Sequence, residues 1–514
     1  MSMWEIIMNT NDPNFLNLKP DSLTNVSTSL FPDEKTLEKM AKEMFGVLQS
    51  FGGNNVQTVG FPPNDLPSQN LPKESLPYLE DLKLTDTGFS YTDFQSFPKI
   101  NIPQSGGGNL ASARRDFPIL AETVNGKPLV WLDNAATTQK PTSVIERLSH
   151  FYLHENSNIH RAAHTLAARS TDAYEKARSL VQGFIGAGSA EEIIFVRGTT
   201  EGINLLSNII SDKHIQSGDE ILITHLEHHA NIVPWQMVCA KKGAKLRVAP
   251  VDDSGQIILS EYERLLNSKT KIVSITQVSN ALGTVVPVEE MTRSAHKVGA
   301  LVIVDGAQSV SHMPVNVQEI DCDFFVFSGH KLFAPTGIGV VYGKKAILDS
   351  LPPWQGGGNM IQDVKFDHTT FQDAPFRFEA GTGNIADAVG LGAAIEYLNR
   401  FGMKQISAFE HDLLEYGTKE LLKVPGLHLI GTAKDKAGVL SFVIDGFKTE
   451  AIGKKLAEEG IAVRAGHHCA QPILRKFGLE STVRPSLAFY NSCEDIDALI
   501  RVLYGLGNKN RIGT

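Results

Sequence analysis

Cysteine is scarce in this chain and long apolar runs are absent. Its 514 residues include four cysteines, Cys239, Cys322, Cys469 and Cys493. They are too few and too widely spaced for a disulfide framework or a CxxC-type zinc site, so no metal site is expected. A reducing cytoplasm is the natural compartment for such a chain. No stretch reaches the ~20 apolar residues of a membrane span. The opening Met1-Ser2-Met3-Trp4-Glu5-Ile6-Ile7-Met8 lacks the basic start and continuous apolar run of a secretory signal. A surplus of positive charge is missing too: Lys+Arg 48 against Asp+Glu 57 gives −9. Nothing general therefore attracts nucleic acid or an anionic membrane. What remains is globular, with 42% hydrophobic and 20% charged residues, and the length predicts two or three domains.

Residues 1–108 differ from the rest. They carry 10 of the 24 prolines, seven lysines, no arginine and 13 acidic residues, so −6 of the net charge lies in this fifth of the chain. Prolines spread through Phe61-Pro62-Pro63-Asn64-Asp65-Leu66-Pro67 and beyond remove backbone donors and bias preceding residues away from helix. The segment is expected to be mostly disordered, ending in a flexible joint at Gly106-Gly107-Gly108. Two apolar clusters stand out in it. Leu37, Met40, Ala41, Met44, Phe45 and Leu48 share one helical face, while Tyr78, Leu79, Phe89, Tyr91, Phe94 and Phe97 interrupt polar sequence. Either they pack back on the main domain or they dock into another protein's grooves, as amphipathic helices do.

From Asn109 onward, apolar runs rich in β-branched residues alternate with helical patterns. They include Glu192-Ile193-Ile194-Phe195-Val196, Glu220-Ile221-Leu222-Ile223, Lys271-Ile272-Val273-Ser274-Ile275 and Ala300-Leu301-Val302-Ile303-Val304. Strands apolar on both faces and separated by helix-length connections imply an α/β fold with a mixed, mostly parallel sheet. Ligands of such sheets gather at strand carboxyl ends. A large domain over 109–380 and a smaller α+β domain over 381–514 are expected.

Two strand ends carry the strongest chemical signal. Asp305-Gly306-Ala307-Gln308 follows one strand, and Ser328-Gly329-His330-Lys331 follows Phe324-Phe325-Val326-Phe327. A lysine and a carboxylate leaving neighbouring strands suit pyridoxal 5′-phosphate: the lysine bonds the aldehyde, and the carboxylate keeps the pyridine nitrogen protonated. Gly198-Thr199-Thr200-Glu201 follows a strand and opens a helix, where free N–H groups and hydroxyls either bind a phosphate or simply cap the helix.

Across about residues 110–505 the sequence resembles the PLP-dependent class V aminotransferase family, and within it the SufS-type cysteine desulfurases. The motifs are Leu132-Asp133-Asn134-Ala135-Ala136-Thr137-Thr138, Asn158-Ile159-His160-Arg161, Arg197-Gly198-Thr199-Thr200-Glu201-Gly202, Glu227-His228-His229-Ala230-Asn231 and Arg464-Ala465-Gly466-His467-His468-Cys469. The resemblance implies fold type I, with a seven-stranded sheet. It implies phosphate contacts from Thr199 or Thr200, Ser328 and His330, and from Thr382 of the other subunit of a homodimer. It also implies ring stacking and proton shuttling by His228, with His229 the weaker candidate, and contacts from Asn280 and Gln308 near the phenolic oxygen. Arg484 would pair with the substrate carboxylate, with Arg464, His160 and Asn280 lining the same pocket.

Cys469 lies in a polar loop with two imidazoles and a guanidinium that can lower a thiol pKa, which suits a nucleophile. The other three cysteines read as structural residues in apolar surroundings. The implied reaction converts L-cysteine to alanine and a Cys469 persulfide, with Lys331 as the base and a separate protein as sulfur acceptor. The rivals are selenocysteine lyase activity at the same site, or a role chiefly as cargo or scaffold. The Pro-rich extension resembles those of desulfurases packaged in encapsulin shells, which makes residues 1–108 a candidate shell-docking segment inside such a compartment. Two departures from the family pattern, Ala465 in place of Thr and a Gly in place of Pro within Gly381-Thr382-Gly383-Asn384, remove no reacting group.

Overall fold

The computed structural model describes residues 110–160 and 164–507. The extension with both apolar clusters, the glycine joint and Arg161 lie outside the described residues.

The expected strands form a seven-stranded sheet. In chain order they are β1 (Ile193–Val196), β2 (Glu220–Thr224), β3 (Lys245–Ala249), β4 (Thr270–Thr276), β5 (Leu301–Asp305), β6 (Phe324–Ser328) and β7 (Gly339–Gly343). Their spatial order is β1-β7-β6-β5-β4-β2-β3. Only β7 is antiparallel to its neighbours, β1 and β6, whereas β2 through β6 pair in parallel. The sheet is therefore mixed and mostly parallel, as the alternation of apolar runs implies.

Successive side chains of a strand point to opposite faces, and here both faces are packed. Phe195, Leu222, Val273, Val302, Val304, Phe325 and Phe327 face one core. Helices α1 (Thr142–His154) and α2 (Thr165–Phe184) contribute Val144, Phe151, Tyr174 and Val181 to it. Ile194, Ile221, Ile223, Ile272, Ile303 and Val326 face the other core, closed by Ile203, Leu206, Ile210 and Trp235 of α3 (Thr199–His214) and α4 (Val233–Lys242). Burying a Val, Ile, Leu or Phe side chain contributes about 1.5–3 kcal/mol, so this double cover is the main source of stability.

Helix α5 (Ile385–Asn399), on the small-domain side of the expected boundary, buries Ala388, Leu391, Ala394 and Leu398 in the first of these cores. The smaller lobe gathers around a four-stranded antiparallel sheet of Leu427–Leu429, Phe442–Ile444, Thr482–Arg484 and Arg464–Gly466, in that spatial order. Its core also takes Val130 and Leu132 from the beginning of the described chain. The Ile461–Ala462 strand pairs in parallel with Val130–Trp131.

The edge strand β3 was not legible as an apolar run, because Lys245 and Arg247 alternate with Leu246 and Val248 on a largely exposed edge. Cys493 differs from its expected apolar setting. It begins the helix Cys493–Gly507 and is exposed together with Glu494, while Asp495 and Ile496 of the same turn are buried.

Gly339 shows how closely the sheet is built against the segment that begins α3. A Cβ there would lie 2.5 Å from Gly198 Cα and 2.6 Å from the Phe327 carbonyl oxygen. Overpacking against backbone costs about 1–3 kcal/mol. Gly339→Ala is therefore expected to lower the thermal unfolding midpoint by several degrees, and an unchanged midpoint would contradict this packing.

Candidate active site

The carboxyl ends of β2, β4, β5 and β6 open on one cavity of about 190 Å³. Asp305 is the last residue of β5 and is 3% exposed. Its Oδ1 accepts the Ala307 N–H at 2.9 Å. Gly306 is required next to it, because a Cβ there would fall 2.0 Å from the Phe325 ring. Lys331 ends the single 3-10 turn Gly329–Lys331 that follows β6. The chain just beyond Lys331 is held firmly: Phe333 has a left-handed φ of 60°, a conformation that costs about 1–3 kcal/mol unless its surroundings hold it. Its N–H donates to Thr138 Oγ1 at 2.8 Å, and its ring packs on Phe117 and Phe489.

Burial is the dominant electrostatic influence. It raises the Asp305 pKa, against the N–H of Ala307 and the charge of Lys331. It pushes Lys331 down to about 8, with Asp305 opposing and Arg484 assisting. His228, on the turn after β2, is pushed down to about 3 by burial and by Lys331. Its Nδ1 accepts the Ala230 N–H at 3.0 Å, so the neutral ring carries its proton on Nε2.

At the far end of the cavity, Thr199 starts α3. Ser328 Oγ lies 2.8 Å from both the Thr199 N–H and its hydroxyl. Thr200 and His330 line the same end. On the opposite side, Arg484 is fully buried and donates through Nη1 to the Asn280 carbonyl at 2.8 Å and through Nη2 to Asp133 Oδ1 at 3.2 Å. Its Nε has no partner, and neither do Asn280 Oδ1 and His468 Nδ1. Buried polar atoms left unpaired are costly, so these three mark where a polar ligand is wanted.

The expected residues Thr199, Thr200, His228, Asn280, Asp305, Gln308, Ser328, His330, Lys331, Arg464, Cys469 and Arg484 all line this cavity. Gln308 donates from Nε2 to the Ala135 carbonyl at 2.7 Å. Two expected residues do not line it. His160 has a left-handed φ of 59°, and its Nε2 is paired with Glu175 at 2.9 Å. Thr382 lies in a separate groove with Arg197, Glu201 and Asn384.

Sequence reasoning assigned no role to Asp133, Thr276 or Glu227, although Asp133 and Glu227 stand inside the quoted motifs. Glu227 is buried beneath the cavity. Its two oxygens accept from Thr224 Oγ1 and Asn231 Nδ2, each at 2.6 Å, and from the Thr276 N–H at 3.1 Å. Burial still pushes its pKa up to about 8. This network ties the end of β4 to the turn that carries His228.

The cavity suits a phosphorylated pyridine aldehyde. A helix N-terminus and hydroxyls serve the phosphate, a buried carboxylate faces the ring-nitrogen end, and an amine of low pKa serves the aldehyde. The fold and this arrangement define a PLP-dependent transferase of fold type I. A model of the aminotransferase class-V family matches residues 130–499, and the chain belongs to that family.

Among its relatives, a cysteine desulfurase of Synechococcus elongatus is 64% identical over 416 residues, 80% of this chain and 66% of that protein. The chain thus spans slightly less than two thirds of that relative's length. A cysteine desulfurase of Dickeya dadantii is 49% identical over 76% of this chain and 95% of its own length. The crystal structure of a cysteine desulfurase from Escherichia coli superposes with a TM-score of 0.73 at 38% identity, covering 79% of this chain and 99% of that one. No helix of the described residues is long and apolar enough to cross a membrane.

In cofactor-free protein, reductive methylation of Lys331 is expected to rise with pH around a midpoint near 8, not the ordinary 10.5. Because the Asp305 charge favours the protonated amine, Asp305→Asn should lower that midpoint further. Peptide-resolved labelling across pH measures both, and a midpoint raised by the substitution would contradict the coupling.

Proposed function

We propose that the protein is a cysteine desulfurase of the SufS type, which takes the sulfur of L-cysteine onto Cys469 and leaves alanine. The observation that carries this reading is the presence of Lys331, Asp305, Arg484 and Cys469 around one cavity. Pyridoxal phosphate, when bound, supplies an electron sink for the bonds broken at the substrate carbon. Everything else in the reaction is assigned to side chains.

The unpartnered Nε of Arg484, assisted by Arg464, takes the substrate carboxylate in a charge-assisted hydrogen bond. Asn280 and His468 line the same cavity, each with one buried polar atom that has no partner within the described residues. Lys331, its pKa lowered from 10.5 to about 8, keeps about one tenth of its amine unprotonated near pH 7, and that neutral fraction is the base that removes the Cα proton. His228 presents its ring face and an Nε2 proton. The Cys469 thiolate then attacks the substrate sulfur. An S–S bond forms as the C–S bond breaks, the bonding pair passes to the carbon fragment, and protonation of that fragment gives alanine. The products are one alanine and one Cys469 persulfide, which a separate acceptor protein collects for cluster assembly or storage.

A homodimer accounts for the two residues outside the cavity. His160 packs edge-on against Phe376 with ring centroids 5.2 Å apart. Glu379, three residues further along, binds Arg178 and the Phe195 N–H at 2.7 Å. The stretch that leads to Thr382 is thereby fixed beside His160, so a second chain that brings Thr382 to this cavity brings His160 with it. For residues 1–108, the acidic, Pro-rich composition supports docking inside an encapsulin shell, and two copies per dimer would add avidity.

Cys469→Ala is expected to abolish persulfide formation, detected by mass spectrometry after incubation with L-cysteine, while the visible cofactor band remains. Full desulfuration by this variant would refute the assignment, and a preference for selenocysteine that survives the substitution would favour the lyase reading. Removing residues 1–108 should abolish loading into a co-expressed shell without changing turnover; unchanged loading would sink the docking proposal.

A further inference from the structure

Cys469 sits on a short loop between the strand Arg464–Gly466 and the helix Gln471–Lys476. His468 and Cys469 both adopt left-handed backbone conformations, with φ of 52° and 53°. For residues other than glycine each such conformation costs about 1–3 kcal/mol and persists only where the surroundings impose it. Two imidazoles, neither of which the proposed reaction uses, supply the restraint. His467 Nδ1 accepts the Cys469 N–H at 3.0 Å. From the larger lobe, the His229 backbone N–H donates to the Cys469 carbonyl at 2.8 Å, and His229 Nε2 accepts the Gln471 N–H at 3.3 Å. The two rings stack, with centroids 5.8 Å apart and planes 28° apart.

We propose that His229 and His467 are positioning residues that clasp the Cys469 loop between the two lobes, and that the clasp closes only when both imidazoles are neutral. The inference rests on the desulfurase reading for its catalytic consequence, but the clasp itself is a matter of geometry. Each accepting nitrogen must be free of a proton, which places the proton of neutral His467 on Nε2 and that of neutral His229 on Nδ1. Protonating either ring deletes an acceptor and sets a cation against a backbone N–H. Burial and His467 hold the His229 pKa below its ordinary value.

The test compares hydrogen exchange and turnover in the full-length, PLP-loaded protein with His467→Ala, His229→Ala, His467→Asn and His229→Gln. Asn keeps an acceptor near the Nδ1 position and Gln near Nε2, and neither titrates. In the alanine variants, exchange of the amides in 467–471 is expected to accelerate by about tenfold or more. The kcat for alanine release should fall about tenfold, with KM within about twofold and the cofactor band retained. The Asn and Gln variants should restore protection, because each keeps an acceptor where the imidazole nitrogen stood. Unchanged exchange in both alanine variants, or Asn and Gln variants that behave like alanine, would overturn the clasp. A wild-type protein that makes no alanine would instead overturn the functional reading and leave the exchange result standing.

Discussion

The carboxylate of Asp305 is held out of water at the end of a parallel strand, and the rest of the site answers to that fact. An isolated buried carboxylate costs several kcal/mol unless a cation or hydrogen-bond donors compensate. Here the compensation within the chain is partial, one backbone N–H and the Lys331 amine, so the carboxyl's pKa stays raised. A protonated ring nitrogen supplies what is missing. The amine's pKa is in turn lowered to about 8 by the same burial that makes the carboxylate costly. The strand ends thus create two complementary needs, for a cation at Asp305 and for an aldehyde carbon at Lys331, and one cofactor meets both.

The larger lobe builds this pair, and the smaller lobe brings Arg464, Cys469 and Arg484 to the same cavity. Arg484 lies in the small sheet and Cys469 on the loop beyond its neighbouring strand. Both reach the cavity because Val130 and Leu132, early in the described chain, pack into the small-lobe core. A further cross-link joins the segment after β5 to the helix Met403–Leu421 through the buried pair His312 and Glu410, 2.6 Å apart. The position of Cys469 is accordingly a property of how the two lobes meet, and its left-handed backbone persists only in that setting.

Much of this was legible in the chain itself. Runs such as Lys271-Ile272-Val273-Ser274-Ile275 are apolar on both faces, which leaves little choice but a covered parallel sheet, and strand ends then show where Asp305 and Lys331 lie. β3 escaped notice because it is an edge strand with charged residues at alternate positions. The Glu227 network and the unpartnered Nε of Arg484 depend on contacts between residues far apart in sequence, which no spacing rule encodes. His160 was expected in the cavity on family resemblance, yet within one chain it pairs with Glu175 instead. Cys493 looked structural because its helix is amphipathic, but the first residue of such a helix lies on the wet side.

Lys140 and Lys436 provide an internal control, since burial pushes both of their amines down to about 8 as well. Neither has a buried carboxylate opposite it in the cavity that Asp305 lines. The most direct measurement is therefore peptide mapping of protein loaded with pyridoxal phosphate and reduced with borohydride. The account predicts a phosphopyridoxyl group on Lys331 alone, lost in Lys331→Ala without transfer to another lysine. Modification of Lys140 or Lys436 in its place, or an unmodified Lys331, would contradict it.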